Sequence, residues 1–324
     1  MQKLVKVTRK SGIPLIGTIF LGIIDRGTTL LQVRATTVCN LDCIFCSTST
    51  ANSDFHPYSF IVELDYLVDE VKKVVKYKGD VEEINIDSMG EPTSYSDLVK
   101  LVEEMSKLVP KVSMQTNGTN LTKKLIDDLV KAGLTTLNLS INSLDGPLAK
   151  KLCGKTFYDV GKIVKNAEYL STKDITLRLC PVWIPKLNNE QVEGIIKLAK
   201  KLNASIGIQK YEIYRYSQKV KGIKPLNYWK FYDQLKKWEK EYDIKLKLTS
   251  KDLEIKKSKR LPVVFNVKDK LYVDIVCPGW LNGQMVGTAK GVAITVNNCK
   301  AKVGDRVKVE ILENKNSIYV AKFK

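Results

Sequence analysis

The sequence has one histidine in 324 residues, His56. That excludes a zincin motif and any multi-histidine metal site, and it leaves little room for Ser-His-Asp chemistry. His56 stands in the turn NSDFHPYS and reads as an ordinary loop residue rather than a catalyst. Acidic residues are also in short supply, 35 against 53 basic ones, so the net charge is +18. An excess of this size favours a polyanionic partner, most simply nucleic acid. A long apolar run is missing as well. The nearest approach, GIPLIGTIFLGII after the basic MQKLVKVTRK, is broken by Gly12, Pro14, Gly17 and Gly22, and Asp25 and Arg26 follow it. It is far short of the ~20 residues a membrane span requires, and no small-residue cleavage site follows. This stretch reads as a strand or strand pair leading into the first domain of a cytoplasmic protein with no membrane partner. Complete disulfide pairing is excluded too, because the cysteines number seven and three of them cluster, unlike a secreted disulfide framework.

What is present is a repeated alternation of short β-branched runs with amphipathic stretches. Strands are expected over 31–37, 81–88, 111–117, 135–142, 174–182 and 204–212. Helices are expected over 59–77, 94–108, 120–132, 157–170, 188–202 and 226–242. Six βα units imply α/β architecture, a parallel sheet with helices outside, closed as a partial (β/α)6 TIM-type barrel rather than the full eight. Residues 1–30 are an N-terminal strand extension, 31–243 the partial barrel, and 244–261 a basic linker. From 262 to 324, LYVDIV, MVGTAKGVAITVNN, DRVKVEIL and SIYVAKF alternate with glycine and asparagine turns, as in a small all-β barrel.

The chemistry-bearing segments fall at the expected C-terminal strand ends: CNLDC, SMGEP, TNGTN and INSLDG. Cys39, Cys43 and Cys46 lie within eight residues, with Phe45 before the last. Structural zinc wants four ligands, and no histidine is near to complete the set. An iron–sulfur cube fits better: three thiolates hold three irons and leave the fourth open for a substrate.

Cys39-NLD-Cys43-IF-Cys46 resembles the signature of the radical SAM superfamily. The resemblance implies a [4Fe-4S] cluster whose open iron is chelated by S-adenosylmethionine. One electron from a reductant then splits the sulfonium to give a 5′-deoxyadenosyl radical. The likeness runs over residues 31–216. Gly90, Glu91 and Pro92 look like the family's segment that meets the methionine amino group; the alternative is a plain helix start. Asn117 stands in the third-strand turn, and Ser140 and Asn142 look like the pair that reaches ribose or carboxylate oxygens. Arg178 is a candidate partner for the methionine carboxylate, or a surface strand residue.

The C-terminal region, with Gly304-Asp-Arg306-Val-Lys308, resembles the TRAM domain, an OB-like barrel appended to RNA-modifying enzymes. That implies RNA contacts by Trp280, Lys300, Lys302, Arg306 and Lys308, with tRNA ahead of rRNA as substrate. Cys180, ending the fifth strand, is a candidate catalytic thiol; buried small hydrophobes are the ordinary role of such cysteines. The relation to TRAM-bearing methylthiotransferases is incomplete, since no cysteine precedes Cys39. The whole looks like an archaeal radical SAM family with no assigned reaction. The competing expectations are a radical SAM enzyme acting on a peptide or small molecule, and an RNA-binding protein with a structural cluster.

Overall fold

The computed structural model describes residues 2–324. In chain order the elements begin with β1 (Lys3–Val7), β2 (Gly22–Asp25), β3 (Leu30–Arg34), β4 (Tyr58–Val62), α1 (Leu64–Lys78), β5 (Glu83–Asp87) and α2 (Leu98–Ser106). Next come β6 (Lys111–Thr116), α3 (Lys123–Lys131), β7 (Thr136–Leu139), α4 (Gly146–Cys153), α5 (Val160–Leu170) and β8 (Thr176–Leu179). They continue with β9 (Val182–Trp183), α6 (Asn189–Lys201), β10 (Ser205–Ile206), β11 (Gln209–Lys210) and α7 (Tyr228–Tyr242). The last five are β12 (Lys270–Pro278), β13 (Met285–Ala289), β14 (Val292–Asn297), β15 (Arg306–Glu313) and β16 (Val320–Phe323). The six βα units expected of a partial barrel are present, and a closed five-stranded barrel follows them.

The chain forms two compact units. The first comprises the chain up to Cys39, Thr50–Pro110 and Lys256–Lys324; the second comprises Asn40–Ser49 and Lys111–Ile255.

In the first unit, β3 pairs parallel with β5 and antiparallel with β2. Helix α1 buries Leu67, Val68, Val71 and Val74, the spacing of one helical face. Helix α2 buries Leu98, Leu101, Val102 and Met105 in the same way. Each such side chain contributes about 1.5–3 kcal/mol on burial. The expected first helix starts late: Tyr58–Val62 is a strand laid parallel on β1, and the helix begins at Leu64. The N-terminal extension holds the expected strand pair as Lys3–Val7 and Gly22–Asp25, but the apolar run over 13–21 between them is not a strand. Gly17 and Gly22 take positive φ there, and a Cβ on Gly17 would fall 1.9 Å from the Ala293 carbonyl oxygen. The Ile16 and Gly17 carbonyls instead accept from Ala293 N and Tyr319 N of the β-barrel, both at 2.8 Å.

The expected basic linker has no helix or strand, yet its end is fastened. Leu261 N donates to Asp25 Oδ2 at 2.8 Å. Asp25 also pairs with Lys78 at 2.9 Å, with side chains 1% and 0% exposed. Removing either partner would leave a buried uncompensated charge, a loss of about 3–5 kcal/mol.

The barrel has strand order β12-β13-β14-β16-β15. Its core is Val273, Ile275, Ile294, Val296, Val309, Ile311 and Tyr319. Gly287 is bare because a Cβ would lie 2.6 Å from Val273.

In the second unit, β6, β7, β8 and β10 form a parallel array. Thr122, Asp145, Asp159 and Asn227 cap α3, α4, α5 and α7, each accepting from a backbone N–H of the first turn. Helix α4 has no counterpart among the expected elements. Its eight residues open on Asp145-Gly146-Pro147, which reads as a turn, and end at Gly154 with φ 65°.

Candidate cluster and cofactor site

The cysteine segment carries no regular structure. Cys39 closes the first part of the first unit, and Cys43 and Cys46 stand on the 40–49 loop of the second. All three are half-buried. Within the second unit, Asp42 N and Ile44 N donate to the carbonyls of Cys153 and Leu152 at the end of α4. A Cβ on Gly154 would lie 2.0 Å from the Asp42 carbonyl oxygen, so glycine is needed there. Phe45 packs with Ile44 against Leu152, Ile184 and Tyr211. The far side of the loop is held by residues that sequence reasoning missed. Gln218 N donates to the Cys46 carbonyl at 2.8 Å. Gln218 Nε2 donates to Asp42 Oδ1 at 2.9 Å, and Ser217 Oγ donates to the Ser47 carbonyl at 2.9 Å. Tyr158, buried nearby, has its hydroxyl held protonated, chiefly by burial and then by Cys153 and Cys43.

The Gly90-Glu91-Pro92 segment lies in the first unit. Glu91 N donates to the Val38 carbonyl at 2.8 Å, one residue before Cys39. Thr50 Oγ1 donates to the Met89 carbonyl at 2.6 Å. The Glu91 side chain is 1% exposed, and its Oε1 accepts from Thr93 N and Thr93 Oγ1 at 3.0 and 2.7 Å. It therefore caps the short 3-10 turn Pro92–Ser94. One oxygen of the carboxylate thus serves the turn.

Asn117 reaches the cysteine loop directly: its Nδ2 donates to Asn40 Oδ1 at 2.9 Å. Asn40 donates in turn to Thr119 Oγ1 at 2.7 Å. Asn40 is a second residue the sequence did not single out. Ser140 Oγ is half-buried beside Gln115 Nε2 at 3.4 Å. Asn142 is 6% exposed, and its Oδ1 accepts from Val182 N at 2.8 Å. Arg178 Nη1 donates to Asn138 Oδ1 at 2.9 Å, while its Nε is buried with no hydrogen-bond partner among the described residues. Cys180 is buried too. Its side chain is 5% exposed, and burial pushes the thiol up to about 12. A thiol so held is protonated near neutral pH and would need a base to act as a nucleophile.

On the barrel, Lys300, Lys302, Arg306 and Lys308 are exposed. Trp280 is not. It is 5% exposed, stacked on Phe20 with centroids 5.9 Å apart and packed, tilted by 30°, on His56 at 4.0 Å. A base cannot stack on it, so Trp280 is a core residue, and His56, 1% exposed, is its core partner. The most exposed ring of this barrel is Tyr272 of β12, 56% exposed, ahead of Phe323 of β16 at 38%. It faces Lys308 in the β12–β15 register, and the Arg306 guanidinium lies 5.9 Å from its ring centre. A cavity of about 430 Å³ opens there, lined by Lys270, Tyr272, Lys290 and Arg306 and by two acids, Asp269 and Asp274.

The donor set fits an iron–sulfur cube with S-adenosylmethionine. Among the described residues no three His, Cys, Asp or Glu converge as for a single metal ion. A cube takes one thiolate per iron, so its thiolates do not converge on a point. The buried Arg178 Nε has no hydrogen-bond partner among the described residues, and a guanidinium is chemically suited to a carboxylate. No helix of the described residues is long and apolar enough to cross a membrane.

Comparison with known proteins agrees. A model of the radical SAM superfamily matches residues 33–199. The uncharacterised protein MJ0103 of Methanocaldococcus jannaschii is 38% identical over 339 aligned positions, covering 95% of this chain and 78% of that one. A probable GTP 3′,8-cyclase of Pyrococcus abyssi is 25% identical, over 67% of this chain and 66% of the cyclase. Among solved structures, Streptococcus suis SuiB bound to S-adenosylmethionine superposes with a TM-score of 0.54 at 20% identity. The match covers 68% of this chain but only 49% of SuiB, about half its length. With its cysteine motif and six βα units, this chain belongs to the radical SAM superfamily, enzymes that use a [4Fe-4S] cluster and S-adenosylmethionine.

Proposed function

We propose that this enzyme modifies RNA, with tRNA ahead of rRNA, in the cytoplasm and with a one-electron reductant as partner. The observation that carries this reading is the outer face of the small barrel. An exposed tyrosine, Tyr272, sits among Lys270, Lys290, Arg306 and Lys308 beside an open cavity. Cations that track phosphates around a ring that accepts a base are the two parts of a single-strand RNA site. The net charge of +18 supports the same partner. The barrel resembles a TRAM domain, and Lys300 and Lys302 extend its basic surface.

The roles proposed for the chain's own residues follow. Cys39, Cys43 and Cys46 hold the cluster, with Phe45 anchoring their loop by its apolar contacts. Gly90 and its neighbours offer carbonyls to the methionine ammonium, and Arg178 offers its guanidinium to the carboxylate. Pro92 and Glu91 fix the turn that presents those carbonyls. Asn117 and Ser140 supply polar contacts, Asn117 by bracing the cysteine loop through Asn40. When bound, the cluster and S-adenosylmethionine supply the radical that removes a substrate hydrogen.

The test is RNA dependence. Reconstituted protein should bind unmodified tRNA in a salt-sensitive shift, since each phosphate contact releases counterions. Exchanging Lys308 and Arg306 for alanine should weaken that shift at every salt concentration. A protein that cleaves S-adenosylmethionine but shows no RNA shift at low salt would count against this reading. It would favour a nucleotide or peptide substrate instead; the Pyrococcus relative is a probable GTP cyclase, and SuiB has been solved with its precursor peptide.

A further inference from the structure

The second unit carries an aromatic and basic surface that none of these roles uses. The stretch KYEIYRYSQKVKGIKPLNYWKFY, 210–232, holds six cations, Lys210, Arg215, Lys219, Lys221, Lys224 and Lys230, against one acid, Glu212. Four of its rings are exposed: Tyr214 at 59%, Tyr228 at 59%, Trp229 at 81% and Tyr232 at 39%. Single exposed apolar residues need no explanation, but a cluster of large rings does. Helix α7 is not short of burial. Its Phe231, Leu235 and Trp238 are in the core, where Trp183 packs on Phe231 and Trp238 at 5.8 and 4.9 Å. The opposite edge leaves an indole in water.

That edge is ordered by its own contacts. Tyr228 and Tyr232, one helical turn apart, stack with centroids 6.1 Å apart. The Tyr228 hydroxyl donates to Glu212 Oε1 at 2.8 Å. Lys210 lies over the Tyr228 ring at 4.7 Å and Lys247 over Tyr232 at 5.3 Å. Cations alternating with π-faces match the alternation of phosphate and base along a single strand. The same stretch is fastened to the cysteine loop, by Gln218 to Cys46 and Asp42 and by Ser217 to Ser47. The rings and the residues that hold the loop carrying two of the thiols thus belong to one continuous segment.

We propose that Tyr214, Tyr228, Trp229 and Tyr232 form a stacking site for a single-stranded segment of RNA, placed by the 217–218 tether beside the cysteine loop. This rests on RNA being the substrate; it assigns a second RNA contact, on the second unit. A duplex, whose bases are stacked internally, would not use it.

The protein reports on this site itself. Of its four tryptophans, Trp183, Trp238 and Trp280 are 6%, 3% and 5% exposed, so Trp229 is the indole in water. Full-length reconstituted protein is titrated at low salt with a 12-mer of unstructured uridine and adenosine while tryptophan emission is followed. Saturable quenching is expected, absent in Trp229→Phe although that variant still binds. Trp229→Ala and a Tyr228→Ala/Tyr232→Ala double variant should lose roughly 5- to 100-fold in affinity, the range for a lost base–ring stack. Unchanged affinity in both, with loss confined to Tyr272→Ala on the barrel, overturns the α7 site and leaves the RNA reading standing. No binding of RNA by the parent protein overturns both. Equal quenching by polyglutamate overturns the site in favour of unspecific charge attraction.

Discussion

Gly90 lies against Val38 so closely that a Cβ on it would sit 2.2 Å from the Val38 carbonyl oxygen. The neighbouring Glu91 N–H donates to that same oxygen at 2.8 Å. The turn after β5 is thus set by backbone contact with the residue before Cys39, and only glycine leaves room for it.

Gly90→Ala is therefore expected to displace the segment leading into Cys39. Overpacking of this kind costs about 1–3 kcal/mol. The checkable outcome is iron content and cluster absorbance after reconstitution, both reduced against the parent protein. Full cluster loading in Gly90→Ala would show that this contact does not position the motif.

Cys39→Ala, Cys43→Ala and Cys46→Ala should each abolish the visible absorbance of the cluster and all reductive cleavage of S-adenosylmethionine. Cys180→Ala should retain both, because Cys180 is buried and its thiol stays protonated. An intact cluster in any of the first three, or a lost one in the fourth, would refute the ligand assignment.

Arg178→Lys keeps the charge but loses the planar fork and its Nε. If the guanidinium meets the methionine carboxylate, the Kd for S-adenosylmethionine should rise about tenfold or more, equivalent to about 1.4 kcal/mol. Calorimetric titration of the cluster-loaded protein measures it. An unchanged Kd would leave Arg178 as a strut for Asn138 alone.

Much of this was readable from the chain, for identifiable reasons. The cysteine spacing is a local property, and the βα alternation follows from side-chain periodicity, so the motif loop and six units are where the sequence puts them. Helix α4 was hidden because Asp145-Gly146-Pro147 has the composition of a turn. The run over 13–21 has the composition of a strand, yet Gly17 and Gly22 bend it under the barrel. Trp280 looked like an RNA contact because tryptophan in a basic barrel suggests stacking; its burial depends on Phe20 and His56, over 200 residues away in sequence. Asn40 and Gln218 could not be picked out, since their role is a hydrogen bond fixed only by the fold. The rings of 210–232 did leave a signal, tyrosines interleaved with lysines, but one that strand and helix cores also produce.

Stability falls on the alkaline side. Burial pushes the Cys180 and Cys277 thiols from an ordinary 9.0 up to about 12. Each is a neutral group bound to its proton more tightly when folded. Its contribution is fully present below pH 9 and is lost as pH rises toward 12. The slope is about 1.4 kcal/mol per pH unit for each thiol. Urea midpoints of the parent should fall across this window more steeply than those of a Cys180→Ala/Cys277→Ala double variant. Parallel falls would show that the thiols ionise as easily folded as unfolded.

The most direct measurement is nucleoside mass spectrometry of total tRNA and rRNA from a strain lacking this gene, set against its parent. A modified nucleoside missing from the deletion strain and restored by the parent gene, but not by its Cys43→Ala form, is expected; its mass would name the group added. Identical nucleoside profiles in the two strains would contradict an RNA substrate.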